Sequence, residues 1–162
     1  MHVMNSQSHD DFVFDLIKGR IAETIFEQMF RETGQWSIFR SGYETAYAML
    51  AQYQHQMKLR EVIDQVRSAP DFVLISDDKT EAYFIEVKYR RTVEQKEMLK
   101  TAKNLELKWG LSHVFVVSHD GFYYENVHTL IRNKGNISKL STRYIPQAIQ
   151  EKYLALLHRF LP

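Results

Sequence analysis

Apolar residues recur at helical spacing along the first part of the chain: Phe12, Val13, Leu16, Ile17, Ile21, Ile25, Phe26, Met29 and Phe30. Ser8 followed by Asp11 reads as a variant of the capping box that would open this helix, and Gly34 after Thr33 as its stop. The opposite face carries Arg20, Glu23, Glu27 and Arg31, a charged stripe with spacings that suit ion pairs. Trp36 to Arg40 predicts a first strand, broken by Ser41-Gly42. Ala46, Met49, Leu50, Tyr53, Met57, Leu59, Val62, Ile63 and Val66 then predict a long amphipathic helix from about Glu44 to Arg67.

The period next shortens. Phe72 to Ile75 and Ala82 to Val87 are runs of β-formers separated by the polar residues Ser76 to Thr80, the pattern of a hairpin. Thr92 is placed to cap a helix reaching Trp109, with Leu99, Ala102 and Leu105 as its buried face and Gly110 as its stop. Val114 to Ser118 and Phe122 to Val127 predict two more strands, joined around Asp120-Gly121. Residues Arg132 to Tyr144 read as a loop. Pro146 opens a last helix with Ile149, Tyr153, Leu156, Leu157 and Phe160 on one side. The order α-β-α-β-β-α-β-β-α predicts an α/β fold, a mixed central β-sheet flanked by helices on both faces. One domain is expected over residues 1–162, with a helical insertion at about 44–68.

The hairpin also carries chemistry. If it is centred between Asp78 and Lys79, Asp71 falls opposite Glu86, and Lys88 shares their face. Directly opposed residues have Cβ atoms about 4.5–5.5 Å apart. Two carboxylates that close repel unless a proton or a cation lies between them, and a hard cation with oxygen ligands such as Mg²⁺ suits the gap. An incidental charged cluster at the end of an ordinary hairpin would show the same residues.

Pro70-Asp71 followed by Glu86-Val87-Lys88 resembles the PD-(D/E)xK nuclease superfamily, with its restriction-endonuclease-like fold and Holliday-junction-resolvase-like core. The resemblance implies that Asp71 and Glu86 bind Mg²⁺, or Mn²⁺ as a substitute, with help from the Val87 carbonyl. It implies that Lys88 contacts the attacking water and the scissile phosphate. Gly19-Arg20-Ile21-Ala22-Glu23 is similar to the G-x-x-A-E helix of such nucleases. That likeness makes Glu23 a further metal-site residue, with Glu27 as the fallback, and gives Gly19 the task of letting the helix approach the sheet. Gln95, seven residues after Lys88, matches a glutamine that some members point at the site. The implied activity is Mg²⁺-dependent hydrolysis of phosphodiester bonds, in DNA before RNA. The alternative is a catalytically silent module of the same fold that binds nucleic acid or a protein partner. The resemblance spans roughly residues 10–118, and the long helix before Pro70 departs from it. That helix could cover the core, or serve as an arm for substrate choice or for a homodimer.

Charge modifies this picture only locally. A net charge of +1 and a pI near 8.0 do not by themselves indicate nucleic acid. Arg90 and Arg91 leave the hairpin with positive charge, and Lys96, Lys100 and Lys103 form a stripe at i, i+4, i+7, a candidate phosphate track beside such a site. Arg132, Lys134, Lys139 and Arg143 make the later loop basic. His113 and His119 flank a strand and read as end-of-strand hydrogen-bonding residues rather than ligands. The chain has no cysteine, so disulfides and cysteine-ligated zinc are excluded. No membrane span or signal peptide is expected, and a cytoplasmic location is.

Overall fold

The computed structural model describes residues 6–41 and 68–162, with side chains from His9 onward. The helix expected at 44–67 lies outside the described residues. The described elements are α1 (Ser6–Thr33), β1 (Trp36–Arg40), β2 (Phe72–Ser76), β3 (Ala82–Tyr89), α2 (Gln95–Trp109), β4 (Ser112–Ser118), β5 (Gly121–Asn126), α3 (Val127–Arg132) and α4 (Gln147–Phe160). The five strands form one sheet in the order β1-β2-β3-β4-β5. All neighbours are antiparallel except β3 and β4, which run parallel and are joined through α2. This is the expected α/β class, a mixed sheet flanked by helices.

Alternation along the strands divides the core in two. On one face, Ala22, Ile25, Phe26, Met29 and Phe30 of α1 pack on Ile38, Phe72, Leu74, Ile85, Phe115 and Val117, with Leu157 of α4 closing the layer. Phe26 is its centre, with ring centroids 4.8–5.0 Å from Phe30, Phe72 and Phe115. On the other face, Met98, Ala102 and Leu105 of α2 pack on Val114 and Val116, together with Val127 and Leu130 of α3.

Several boundaries differ from the sequence expectations. Helix α1 starts at Ser6, which puts Ser8 inside it rather than at its cap, and its buried face begins only near Ile21; Phe12, Phe14, Leu16 and Ile17 remain exposed. Helix α2 starts at Gln95 after Glu94, not at Thr92, because the Arg90 N–H donates to the Val117 carbonyl and keeps the chain strand-like past Tyr89. Its buried face is Met98, Ala102 and Leu105, and Leu99 is only half-buried. Val127, expected to end β5, instead opens α3, whose N-cap is Asn126: its side chain accepts from Thr129 N–H at 2.7 Å.

The end of α3 is a Schellman turn. Gly135 N–H donates to Leu130 and Lys134 N–H to Ile131, with Lys134 at φ 54° and Gly135 at φ 88°. Gly135 also abuts α2. A Cβ there would lie 2.0 Å from the Gln95 carbonyl oxygen. Two of the basic residues of this region have structural partners: Lys139 pairs with Asp120 and covers the Tyr123 ring, and Arg132 donates to Thr129.

Candidate active-site cleft

The hairpin register sets the site. Phe72 pairs with Ile85 and Ile75 with Ala82, so the next position places Asp71 opposite Glu86, as the numbering centre requires. The strand itself stops at Phe72. Ser41 N–H donates to the Asp71 carbonyl at 3.0 Å, and the Ser41 hydroxyl to the Pro70 carbonyl at 2.9 Å, which fixes the backbone there. The Asp71 side chain then takes the place a continuing strand would fill: its Oδ2 accepts from Val87 N–H at 2.8 Å. Within a strand the N–H and C=O of one residue leave on the same side, so the Val87 carbonyl is directed toward the Asp71 side as well.

A cleft of about 520 Å³ opens at this point, and Gly19, Glu23, Asp71, Val87, Lys88 and Arg90 are among its walls. Glu23 thus stands in the same cleft as Asp71, whereas Glu27 does not line it. Glu27 is held by Arg40 at 2.5 Å and by Arg31 at 2.9 Å. Burial would raise its carboxyl, but those two arginines outweigh the effect and hold it below the usual carboxylate range. Glu23 accepts from Arg20 at 3.2 Å and from Arg40 at 3.3 Å through Oε2. Arg40 therefore ties both glutamates to β1. A Cβ on Gly19 would meet nothing within 4 Å, so close approach is not the reason for glycine there. The space beside it is the open cleft.

The electrostatics of the cleft are unbalanced. Burial, then the charge of Glu86, and further the charge of Glu23 push the Asp71 carboxyl up to about 7; the Val87 N–H and Lys88 only partly oppose this. Glu86 itself is 15% exposed and paired with Lys88 Nζ at 2.5 Å. Among the described residues no group of three or more histidine and acidic side chains is arranged to hold a metal ion as it stands. The reason is visible in the contacts: Glu86 is turned to Lys88, Glu23 to two arginines and Asp71 to a backbone N–H. In chemistry the donor set nevertheless fits a hard cation, since it offers carboxylates, a backbone carbonyl and an excess of negative charge that disfavours the ionised form of Asp71.

The basic candidates divide. Arg90 and Arg91 line the cleft, and Arg90 is paired across its mouth with Glu97 at 2.7 Å. Lys96, Lys100 and Lys103 are exposed on α2 and do not line it, nor does Gln95, whose backbone packs on Gly135. His113 does not make the strand-end hydrogen bond expected of it. Its ring stacks on Tyr124 at 5.2 Å, its Nδ1 is buried without a partner, and burial lowers its pKa to about 4. His119 stacks on His158 at 4.4 Å. Sequence reasoning missed Arg40, since no local spacing signals a contact across 17 positions, and Glu97, whose partner Arg90 lies seven positions earlier, before the helix begins. No helix among the described residues is long and apolar enough to cross a membrane. No protein-family model matches the chain, and no curated protein matches it.

Proposed function

We propose that this protein is a metal-dependent nuclease of the PD-(D/E)xK type, with a restriction-endonuclease-like fold, that hydrolyses phosphodiester bonds in DNA. The observation that carries the reading is the meeting of Asp71, Glu23, Val87 and Lys88 in one cleft; Glu86 does not line it, but its charge acts on Asp71. The described order α1-β1-β2-β3-α2-β4 agrees with the α-β-β-β-α-β core that the resemblance implies. Asp71, Glu86, Glu23 and the Val87 carbonyl would hold Mg²⁺ or Mn²⁺. When bound, the ion supplies charge neutralisation at the phosphate and a water of lowered pKa.

The chain's own groups do the rest. Arg40 and Arg20 orient Glu23. The Val87 N–H fixes the rotamer of Asp71. Lys88, once Glu86 turns from it toward the cleft, presents an ammonium to the phosphate and steadies the negative charge that grows there during attack. Arg90 and Arg91 grip the flanking backbone.

One observation favours a second reading. Lys88 is paired with Glu86, and Glu23 with arginines, so the cleft is internally neutralised in part. A silent module that binds nucleic acid or a protein partner would tolerate this arrangement. Incubation with linear, nicked, flap and four-way-junction DNA plus Mg²⁺ or Mn²⁺, beside Lys88→Ala, separates the two. Cutting that needs the metal and is lost in Lys88→Ala is the expected result. Binding with every substrate left intact would transfer the protein to the second reading.

A further inference from the structure

We propose that the pocket at the carboxyl end of β4 is a second phosphate-binding subsite, which takes the substrate strand as it leaves the cleft toward β5. The proposal rests on the nucleic-acid reading above and deepens it by giving the strand a path. The pocket has a volume of about 400 Å³, with Thr92, His119, Asp120 and Tyr123 among its walls. Its remaining boundary includes Arg91, which is also a wall of the carboxylate cleft. The two hollows therefore share Arg91 as a wall residue. Both lie where the parallel pair β3–β4 ends, and the crevice outside the carboxyl ends of parallel strands is where α/β sheets place ligands.

The backbone around the junction is held by hydrogen bonds to β4. The Ser118 hydroxyl, fully buried, donates to the Arg91 carbonyl at 3.0 Å, and Arg90 N–H donates to Val117 at 3.0 Å. Backbone on both sides of the junction is thereby fixed to β4. The Arg91 side chain is exposed, and its Nη1 donates to the Pro162 oxygen at 3.4 Å. The acid of the pocket, Asp120, is already matched: Lys139 Nζ lies 3.1 Å away and the Tyr123 hydroxyl donates to it at 2.8 Å. It therefore offers little repulsion to an anion. Arg91, Thr92 and His119, the last with its ring stacked on His158, are wall residues of types that can donate to a phosphodiester. Lys96, Lys100 and Lys103 line neither hollow, so this path runs across the strand ends toward β5 rather than along α2.

The test is equilibrium binding of the full chain to fluorescently labelled single-stranded and duplex oligonucleotides, by anisotropy, in EDTA to prevent cutting. Affinity is measured from about 50 to 200 mM salt. Arg91→Gln should weaken binding about five- to twentyfold at low salt and reduce the slope of log K against log salt by roughly one. Arg91→Lys should restore the slope. His119→Asn should weaken binding about threefold or more at low salt, by loss of a hydrogen bond to phosphate. Lys152→Gln, on the α1–α4 side where Lys152 meets Glu32, should change nothing. A wild-type slope and affinity in Arg91→Gln would overturn the subsite. So would an effect of Arg91→Gln with none from His119→Asn, because Arg91 would then act from the cleft alone. A wild-type protein that binds no oligonucleotide would overturn the nucleic-acid reading and the subsite together, which distinguishes that failure from loss of the subsite only.

Discussion

Replacing Asp71 by Asn should make the metal-free protein more stable, by a margin that grows as pH rises from about 4 and is complete near 7. The side chain keeps an oxygen to accept from Val87 N–H but loses the charge that burial, Glu86 and Glu23 oppose. The folded-state pKa is raised from 3.8 to about 7, so the wild type has its full stability below the unfolded-state value near 4. It loses stability progressively as pH rises from there to about 7, because the unfolded carboxyl ionises while the folded one stays protonated, and the loss is complete once the pH has passed the folded value. About three pKa units correspond to roughly 4 kcal/mol at most, and imperfect mimicry by the amide reduces the gain to about 2–3 kcal/mol. For a chain of this length each kcal/mol moves Tm by about 2–4 °C. Thermal unfolding in EDTA should therefore show Asp71→Asn above the wild type by roughly 5–10 °C at pH 8 and level with it near pH 4.5. Other titrating groups cancel in the difference between the two proteins. Adding Mg²⁺ or Mn²⁺ at pH 8 should raise the wild type toward the variant and leave the variant nearly unmoved. An Asp71→Asn protein less stable than the wild type at pH 8, or a gap independent of pH, would refute the like-charge argument on which the cleft is read.

Lys88→Ala frees Glu86 from its 2.5 Å partner; Mn²⁺ affinity by calorimetry should hold or rise while cleavage is lost, and a variant that cuts at the wild-type rate would remove the lysine from the mechanism. Gly19→Ala should stabilise the fold by about 0.5–1 kcal/mol, because the residue is helical and an added Cβ meets nothing within 4 Å; denaturant unfolding checks it, and a loss of stability would mean that the helix does need close approach. Gly135→Ala should destabilise by about 3 kcal/mol or more, since the Cβ would fall 2.0 Å from the Gln95 carbonyl at a φ of 88°; a midpoint unchanged in urea would contradict the packing of α3 on α2.

Much of the frame was legible because it depends on local signals. The polar run from Ser76 to Thr80 fixes the centre of the hairpin, and the observed pairs from Phe72–Ile85 to Ile75–Ala82 follow from that centre alone. Trp36 to Arg40 is a strand with the bounds its composition gives. What could not be read is what depends on neighbours. Helix α3 has six residues, too few for a period to emerge, and it exists because Asn126 caps it and Val127 and Leu130 fill the space beneath α2. The start of α2 was misplaced because Thr92 is a good cap in sequence, whereas the chain there is still held to β4 through Arg90.

The site shows the same division. Strand arithmetic pointed to Asp71, Glu86 and Lys88, and the likeness of Gly19–Glu23 to the G-x-x-A-E helix pointed to Glu23. Nothing local pointed to Arg40, and it changes how the acids should be understood. One guanidinium reaches Glu23 at 3.3 Å and Glu27 at 2.5 Å, so with Arg20 it neutralises the acids on the helix side of the cleft, while Glu86 on the hairpin side is paired with Lys88. Asp71 is then the acid whose charge is left least matched: Glu86 has Lys88, Glu23 and Glu27 have arginines, and Asp71 has a backbone N–H. A structural ion-pair network would place its cations where its most buried acid sits. Here that acid is left to a proton or to something supplied from outside, a distribution of charge that suits a binding site better than a scaffold.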